Sequence, residues 1–367
     1  MAETHESVSS LGIPPSQYVV DVSVIDSTTH VEVPLGFFIR NPLTGHDTLN
    51  CPSYVFLIES HQGKRVLFDL GLRKDTVSFP PVIRSGMANL IMKTEKDVAT
   101  ILKDDGRLAL ADINSIIWSH WHADHTGDPS TFPPTTELVV GPGFKNKLLP
   151  GYPADPNGLI LESDHAGRLL REIDFRTGLK IGQFRAMDFF GDGSFYLLDA
   201  PGHAIGHMCA LARTTPTTFI FMGGDGCHHC GCLRPANELP IPKEVSPSPF
   251  SNPPHSPGSV CPGSLLAEIH PKKSRTEPYY TQLSAAEGRD VPEAEATILK
   301  MIAFDESQDV FVIIAHDNTL LDVIDFFPET VNAWKQKGWK GTSRWRFLTD
   351  FKDAAAEADL IKPAGRW

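Results

Sequence analysis

The most constraining feature of this sequence is a run of metal-ligand side chains directly after a short apolar segment. Residues 113–119 (INSIIWS) have the character of a buried strand, and they lead into the string HWHADH, which contains His120, His122, Asp124 and His125. Imidazole nitrogens and carboxylate oxygens are the ligands that Zn²⁺ and similar cations take from proteins. A rigid strand fixes the backbone, and the loop after it presents the side chains. The string therefore predicts a metal site at one edge of a sheet.

Three later residues repeat this arrangement. His203 follows the predicted strand 194–199, Asp225 comes two glycines after the strand 217–222, and His316 follows the strand 310–315. Taken singly, each would suit a loop histidine or a helix-capping aspartate. Taken with the first cluster, they supply the ligands that a second metal needs.

The order of elements predicts an α+β fold in which two sheets pack face to face with helices outside. The apolar runs predict strands, and helical spacing predicts four helices. The predicted strands are 18–27, 36–39, 54–59, 65–69, 113–119, 185–190, 194–199, 208–213, 217–222 and 310–315. The predicted helices are 95–103, 292–304, 328–337 and 350–360.

Proline is unevenly spread among the 367 residues, which we expect to form a single domain. Residues 239–262 hold eight of the 30 prolines and show almost no periodicity. Such a stretch cannot run as a regular helix or a central strand. We therefore expect residues 239–291 to form an insertion, either a solvated connector or a lid over the active site.

Charge and cysteine content limit the partners and the compartment. The formal net charge is −12, which disfavours nucleic acid and an anionic membrane surface as partners. Residues 1–15 lack the basic and apolar regions of a secretory signal, and no stretch approaches about 18 uninterrupted apolar residues. The six cysteines do not resemble a secreted disulfide framework. These features predict a cytoplasmic protein.

The ordered motifs resemble those of the metallo-β-lactamase superfamily. H-x-H-x-D-H, then P-G-H, then G-D, and finally a strand-end A-H-D follow one another, and the motif Phe68-Asp69-Leu70-Gly71 precedes them. The resemblance spans roughly residues 54–317 and implies a four-layer αββα sandwich. It implies a first metal held by His120, His122 and His203, and a second held by Asp124, His125 and His316. Asp225 would bridge both metals, and Asp69 would orient a ligand loop.

The resemblance also implies a mechanism. Two zinc ions, with manganese or iron as alternatives, would share a water and lower its pKa to about 7, so that hydroxide attacks a carbonyl. Asp124 would carry the proton to the leaving group. The sequence has no G-x-S-x-G elbow that would indicate a nucleophilic serine.

The full ligand set resembles lactonase, thioesterase and glyoxalase branches more than antibiotic-cleaving enzymes. Acyl-homoserine lactonases place a tyrosine three residues after the bridging aspartate, where this chain has His228. We therefore expect His228 to polarise the carbonyl, unless the substrate is held differently. The stretch 227–235 resembles loops of fungal lactamase-type and lactonase-type members, which detoxify small cyclic esters or amides. We predict that Cys227, Cys230 and Cys232 pack beside the dinuclear site rather than bind a third metal.

Several alternatives remain open. A thioesterase of secondary metabolism would need a basic patch for its carrier, and Lys272, Lys273 and Arg275 are the nearby candidates. The net charge disfavours a nuclease. A non-catalytic member would have lost ligands, and an iron-dependent redox member would keep them. Trp121 alternates with its histidine neighbours, so we expect it to pack away from the ligands.

Overall fold

The computed structural model describes residues 11–361, so most of the N-terminal stretch 1–15 considered above lies outside the described residues. The strands are β1 Val20–Asp26, β2 Thr29–Pro34, β3 Thr48–Cys51, β4 Tyr54–Ser60, β5 Arg65–Phe68, β6 Ile91–Thr94, β7 Ser115–Ile117, β8 Glu137–Val140, β9 Leu170–Glu172, β10 Lys180–Ile181, β11 Phe184–Asp188, β12 Phe195–Asp199, β13 Met208–Thr215, β14 Thr218–Met222, β15 Glu244–Val245, β16 Cys261–Pro262 and β17 Val310–Ile313. The α-helices are α1 Pro81–Met87, α2 Val98–Asp105, α3 Ala123–Thr126, α4 Phe144–Leu148, α5 Glu162–His165, α6 Gly263–Ile269, α7 Val291–Glu306, α8 Trp339–Ser343 and α9 Lys352–Glu357.

Two six-stranded sheets form the framework. The first has the order β1-β4-β5-β7-β8-β9, and the second has the order β10-β11-β12-β13-β14-β17. In the first sheet β5, β7, β8 and β9 run parallel, whereas in the second only β14 and β17 do. Strands that run parallel end at the same edge of their sheet, which brings the segments after β5 and β7, and those after β14 and β17, together.

Alternation along the strands explains how the sheets pack. In β12, Phe195 and Leu197 join the core between the sheets, while Tyr196 and Leu198 join the core on the outer face. Successive side chains on a strand point to opposite faces, so a strand buried on both sides is apolar throughout. Helix α7 contributes Met301 and Phe304 to the outer core of the second sheet, and α2 contributes Leu102 to that of the first. The predicted αββα sandwich is confirmed.

The predicted helix at residues 328–337 is wrong. This segment forms turns that cover the free edge of β1, with Phe327 N–H donating to Val24 O at 2.7 Å and Val331 N–H donating to Val22 O at 2.7 Å. Asn332 completes the cover because its Oδ1 accepts a hydrogen bond from Val22 N–H at 2.9 Å. Hydrogen bonds to an exposed strand edge therefore replace the helix that the local spacing favours.

The predicted strand at residues 36–39 is also wrong, because Leu35–Phe37 forms a 3₁₀ turn. Phe38 N–H and Ile39 N–H both donate to Leu35 O, at 2.9 and 3.0 Å. The flanking strands pair elsewhere, in a small third sheet of order β3-β2-β6 that the sequence did not predict. This turn and the small sheet together form one wall of the cavity described below.

The Pro-rich segment contains the short hairpin β15–β16, and its contacts include Arg275 and the C-terminal part of the chain. His255 Nε2 lies 2.9 Å from Thr349 Oγ1, and Val245 and Cys261 join the same core cluster as Phe347. Of the basic residues that follow, Lys272 pairs with Glu277 and Lys273 with Glu268 on the surface. Within residues 11–361, no helix has the length and apolar character that crossing a bilayer requires.

Candidate metal centre

Each candidate ligand lies just beyond the end of a main-sheet strand. The loop after β7 contains His120 and His122 and continues into the short helix α3, on which Asp124 and His125 lie. The other ligands follow the second sheet: His203 after β12, Asp225 after β14 and His316 after β17. The structure therefore brings all seven predicted metal ligands to one edge of the sandwich.

Three histidines and one carboxylate form the first group of donors. His203 Nε2 lies 3.0 Å from His122 Nδ1 and 3.2 Å from His120 Nε2. Asp225 Oδ2 lies 3.3 Å from His203 Nε2 and 3.6 Å from His120 Nε2. These four donor atoms lie within 4.8 Å of one another, so a single cation between them is within reach of all four.

The second oxygen of Asp225 faces the second group. Asp225 Oδ1 lies 3.1 Å from His125 Nε2 and 3.0 Å from His316 Nε2. Asp124 Oδ2 completes this group, at 3.6 Å from His125 Nε2 and 3.5 Å from His316 Nε2. One carboxylate therefore turns an oxygen to each group.

The Nδ1 atoms of His125 and His316, which point away from the candidate cation, are already hydrogen-bonded. His125 Nδ1 donates to Asp69 Oδ2 at 2.8 Å, and His316 Nδ1 donates to Pro52 O at 2.8 Å. These bonds place the proton on Nδ1 and leave the Nε2 lone pair free for a cation, as is usual for metal-binding histidines. Accordingly, His125 Nε2 and Asp225 Oδ1 are buried without a hydrogen-bond partner. The donor set fits a pair of divalent cations.

Asp69 organises this outer layer, as the sequence suggested. Its carboxylate accepts hydrogen bonds from Ser119 N–H at 2.6 Å and from Ser119 Oγ at 2.8 Å, besides that from His125. Its φ of 65° lies in the left-handed region, which is uncommon for a residue with a side chain. This strained backbone conformation lies where the Asp69 carboxylate must reach both Ser119 and His125. Backbone strain of this kind often occurs at functional sites.

Burial and charge set the protonation states. Burial lowers the pKa of His122 to about 4 and lowers the pKa of His203 well below its usual value, so both rings are neutral at pH 7. Burial alone would raise the pKa of Asp225, but His125, His316 and His228 hold it well below its usual value. Burial also lowers the pKa of His316, yet the Asp225 carboxylate raises it above the ordinary value overall. The Asp225 carboxylate therefore favours a positive charge beside His316 Nε2. A divalent cation bound there would supply that charge.

Comparison with known proteins agrees with this geometry. A family model described as the Metallo-beta-lactamase superfamily matches residues 48–211. The metallo-hydrolase mfmC of Annulohypoxylon moriforme is 45% identical over 95% of this chain and 92% of its own length. The chain belongs to the metallo-β-lactamase superfamily.

Other members of the superfamily are also similar to this chain. The gamma-lactamase FDB1 of Fusarium pseudograminearum is 43% identical over 92% of this chain and 84% of its own length. A solved N-acyl homoserine lactone hydrolase, with N-hexanoyl-L-homoserine at its catalytic metal centre, aligns with a TM-score of 0.54 and 18% identity, over 85% of this chain and 99% of that chain. That alignment supports the fold alone. The relatives confirm the expectation of a hydrolase of this superfamily.

Sequence reasoning missed His207 in this metallo-β-lactamase site. His207 Nδ1 donates to Ala200 O at 2.8 Å, and its Nε2 accepts a hydrogen bond from Asp225 N–H at 3.0 Å. Because both ring nitrogens are occupied, His207 holds the backbone of Asp225 instead of binding a cation. The available signal was its position in the same loop as His203, four residues further along.

His228 lies beside the candidate bridging carboxylate. Its Nε2 is 3.2 Å from Asp225 Oδ2, and its ring stacks on Phe38 with centroids 3.7 Å apart. Burial lowers the pKa of His228 to about 4, so the ring is neutral at pH 7 and offers one N–H. Sequence reasoning did not foresee that Phe38 would cover one face of this histidine.

The three cysteines of the same segment are buried thiols. Burial raises the pKa of Cys232 to about 12 and raises those of Cys227 and Cys230 well above the usual value, so none is a thiolate at pH 7. All three join the core on the outer face of the second sheet. They pack beside the metal centre, and the absence of a third metal at these thiols stays a prediction.

A separate cluster of His46, His229 and Asp350 also lies within coordination distance. Gly231 N–H donates to His229 Nδ1 at 3.0 Å, which puts the ring proton on Nε2, where it faces Asp350 Oδ2 at 3.2 Å. His46 Nδ1 bonds Tyr280 Oη at 2.8 Å. Because His229 has no free lone pair, this cluster is a hydrogen-bond network that anchors the segment after Asp225.

A cavity of about 340 Å³ opens onto the metal centre. Its polar lining comes from members of that centre, namely His122, Asp124, Asp225 and His316. Trp121 also lines it, which corrects the expectation that this side chain packs away from the ligands. Trp118, in contrast, is buried in the core outside the first sheet.

Proposed function

We propose that this protein is a dinuclear metal-dependent hydrolase that opens a small cyclic ester or amide, a lactone or a lactam. The observation that carries the proposal is the division of the Asp225 carboxylate between two groups of donors. Its Oδ2 faces His120 and His203, while its Oδ1 faces His125 and His316. The similarity to a gamma-lactamase over most of both chains supports the substrate class.

In this proposal His120, His122 and His203 hold one ion, and Asp124, His125 and His316 hold the other. Asp225 contacts both. Zinc suits this set of imidazoles and carboxylates, and manganese or iron would also be accepted. Two such ions would lower the pKa of a water at the site and polarise the substrate carbonyl.

The chain's own residues supply positioning and proton transfer. Asp124 lines the cavity and stands 3.5 Å from His316 Nε2, so its carboxylate is placed to pass a proton to the leaving oxygen or nitrogen. The single N–H of the neutral His228 ring faces Asp225 Oδ2 at 3.2 Å, and when cations hold that carboxylate the same N–H would be available to the carbonyl oxygen. Asp69 and His207 keep the ligands oriented through the hydrogen bonds described above.

The test is metal content measured together with turnover of γ-lactones, γ-lactams and acyl thioesters. The proposal predicts about two metals per chain and chelator-sensitive ring opening. Asp225→Ala should lose at least one metal and most activity, whereas Asp174→Ala, an exposed aspartate paired with Arg176, should change neither. Full metal content and turnover in Asp225→Ala would refute the bridging role.

The same panel tests the alternatives. Preferred hydrolysis of thioesters would favour the thioesterase, although the surface pairing of Lys272 and Lys273 with glutamates leaves little free basic surface for a carrier. Metal-replete protein without any hydrolysis would favour a redox or binding role. A cytoplasmic location is also a proposal, and six free, buried cysteines are compatible with a reducing compartment.

A further inference from the structure

The walls of the cavity beside the metal centre are apolar. Val31 and Val33 of β2, Leu49 of β3 and Met92 of β6 line one side. They share a face of the small sheet, because Val31 pairs with Met92 and Val33 pairs with Leu49. The alternation of strand side chains turns the polar neighbours His30 and Glu32 to the opposite face.

The facing wall is helix α1 together with Leu90, which lies three residues beyond the end of the helix. Val82, Ile83, Met87 and Leu90 line the cavity at helical spacing. None of the seven residues of α1 is fully buried, and Val82 is 41% exposed. This helix therefore carries an apolar stripe that the rest of the described chain leaves partly uncovered. An apolar body inserted against it would remove that stripe from water.

No lysine or arginine is found among the described residues that line this cavity. Lys93 alternates with Met92 along β6 and is exposed on the other face. Arg289 is near Phe38, but its Nη1 donates to Phe37 O and to Ser284 O, both at 2.8 Å. Arg289 keeps its positive charge but does not line the cavity, so a carboxylate on the part of a substrate remote from the metal centre would lose its hydration and gain no cationic partner among the lining residues.

We infer that the substrate is an uncharged lactone or lactam whose ring carries an apolar body lying between the small sheet and α1. The inference rests on the proposed function for the identity of the ring, and on the cavity walls for the rest. The cavity volume of about 340 Å³ lies at the small end of the range of ligand pockets, which suits a small ring with one apolar substituent. A free acid on that body is excluded.

A matched pair of probes tests this inference: a γ-butyrolactone bearing a phenyl group, and the same lactone bearing a 4-carboxyphenyl group. The native enzyme should prefer the phenyl compound in kcat/KM by at least about tenfold. Met92→Lys places a cation in the wall, so it should reduce that preference at least about tenfold or invert it. Met92→Leu should keep the native preference, and Lys93→Met, on the opposite face, should leave the kinetics unchanged.

Binding measured without turnover separates this inference from the proposed function. The corresponding phenyl and carboxyphenyl lactams are mixed with the metal-replete protein, and tryptophan fluorescence is followed before turnover, with Trp121→Phe identifying the signal from the cavity. Tighter binding of the phenyl lactam supports the inference whether or not hydrolysis occurs. Equal or tighter binding of the carboxyphenyl lactam overturns it, even if both lactones are hydrolysed. Failure of the metal-replete enzyme to open any ring refutes the proposed function instead.

Discussion

His207 holds Asp225 through the backbone of that residue. The ring accepts the Asp225 N–H at 3.0 Å and donates to Ala200 O at 2.8 Å, so it ties the loop after β14 to the end of β12. Gly224, just before Asp225, has a φ of +48°, and a Cβ there would lie 2.9 Å from His207 Nε2. The close packing of these residues sets the direction in which the Asp225 carboxylate points.

We expect His207→Ala to lower metal affinity and kcat about 10- to 100-fold, because it removes the support of a ligand and leaves the ligand itself in place. His207→Gln should recover part of the loss, since its amide oxygen still accepts the Asp225 N–H. Metal affinity is measured by competition with a chelator, and kcat is measured on the metal-replete protein. A purely structural role would lower the melting temperature in both variants and leave the affinity of the folded protein for metal unchanged.

Asp69→Asn should weaken metal binding at the group that contains His125 by about 10- to 100-fold. Asparagine has one acceptor oxygen where Asp69 uses two, so it cannot accept from both Ser119 N–H and His125 Nδ1, and the charge that raises the basicity of this imidazole is also lost. Competition with a chelator measures the affinity. Asp188→Asn is the control, because this carboxylate at the end of β11 accepts hydrogen bonds from Gly191 N–H and Gly193 N–H, away from the centre. Native affinity in Asp69→Asn would contradict the orienting role.

His228→Phe should lower kcat by about 100-fold or more and leave metal content unchanged, if the ring donates to the developing oxyanion. The new phenyl ring keeps the stack on Phe38 and removes only the polar atoms. His61→Phe, at a histidine stacked on Tyr18, is the control. Native kinetics in His228→Phe would assign His228 to packing, and loss of metal would make it a ligand.

The segment that contains His228 is anchored by a buried ion pair. Arg234 Nε and Nη2 each lie 2.7 Å from an oxygen of Asp305 on helix α7. Asp305→Asn should destabilise the protein by about 3–5 kcal/mol, because it leaves the buried guanidinium unpaired. Urea unfolding measures the change, and Asp174→Asn, in an exposed pair, should leave the midpoint unchanged. If the urea midpoint of Asp305→Asn shifts as little as that of Asp174→Asn, the buried ion pair contributes little to stability.

At acid pH the native protein and Asp305→Asn should differ less in their free energy of unfolding. Burial would raise the pKa of Asp305, but Arg234 lowers it to about 2 overall. A carboxyl group with a depressed pKa contributes stability that is present above its unfolded value of about 4 and is lost as the pH falls towards about 2. The gap in unfolding free energy should therefore be constant near pH 6 and should narrow between about pH 4 and pH 2. A gap that does not change over this range would contradict the pairing.

The sequence predicted those parts of the site that depend on local pattern. The string around His120 and the strand-end positions of His203 and His316 follow from alternation and chain order alone. His207 lies outside the P-G-H motif that singles out His203, and its role depends on a tertiary contact with Asp225 N–H that local pattern does not predict. Residues 328–337 have helical spacing, yet they are held at the edge of β1, where Asn332 Oδ1 accepts a hydrogen bond from Val22 N–H across a separation of 310 residues. Pairings across such separations cannot be predicted from local propensity.

The apolar walls of the cavity come mainly from parts of the chain that do not carry the metal ligands. The ligands follow strands of the two large sheets, whereas the apolar walls come mainly from the separate sheet β3-β2-β6 and from α1. Substitutions in these walls can therefore change which molecule is accepted and leave the ligand geometry intact. Because the walls and the ligands lie on different elements, substrate specificity can diverge between relatives through changes in the small sheet and α1. The reactive centre can be inherited unchanged.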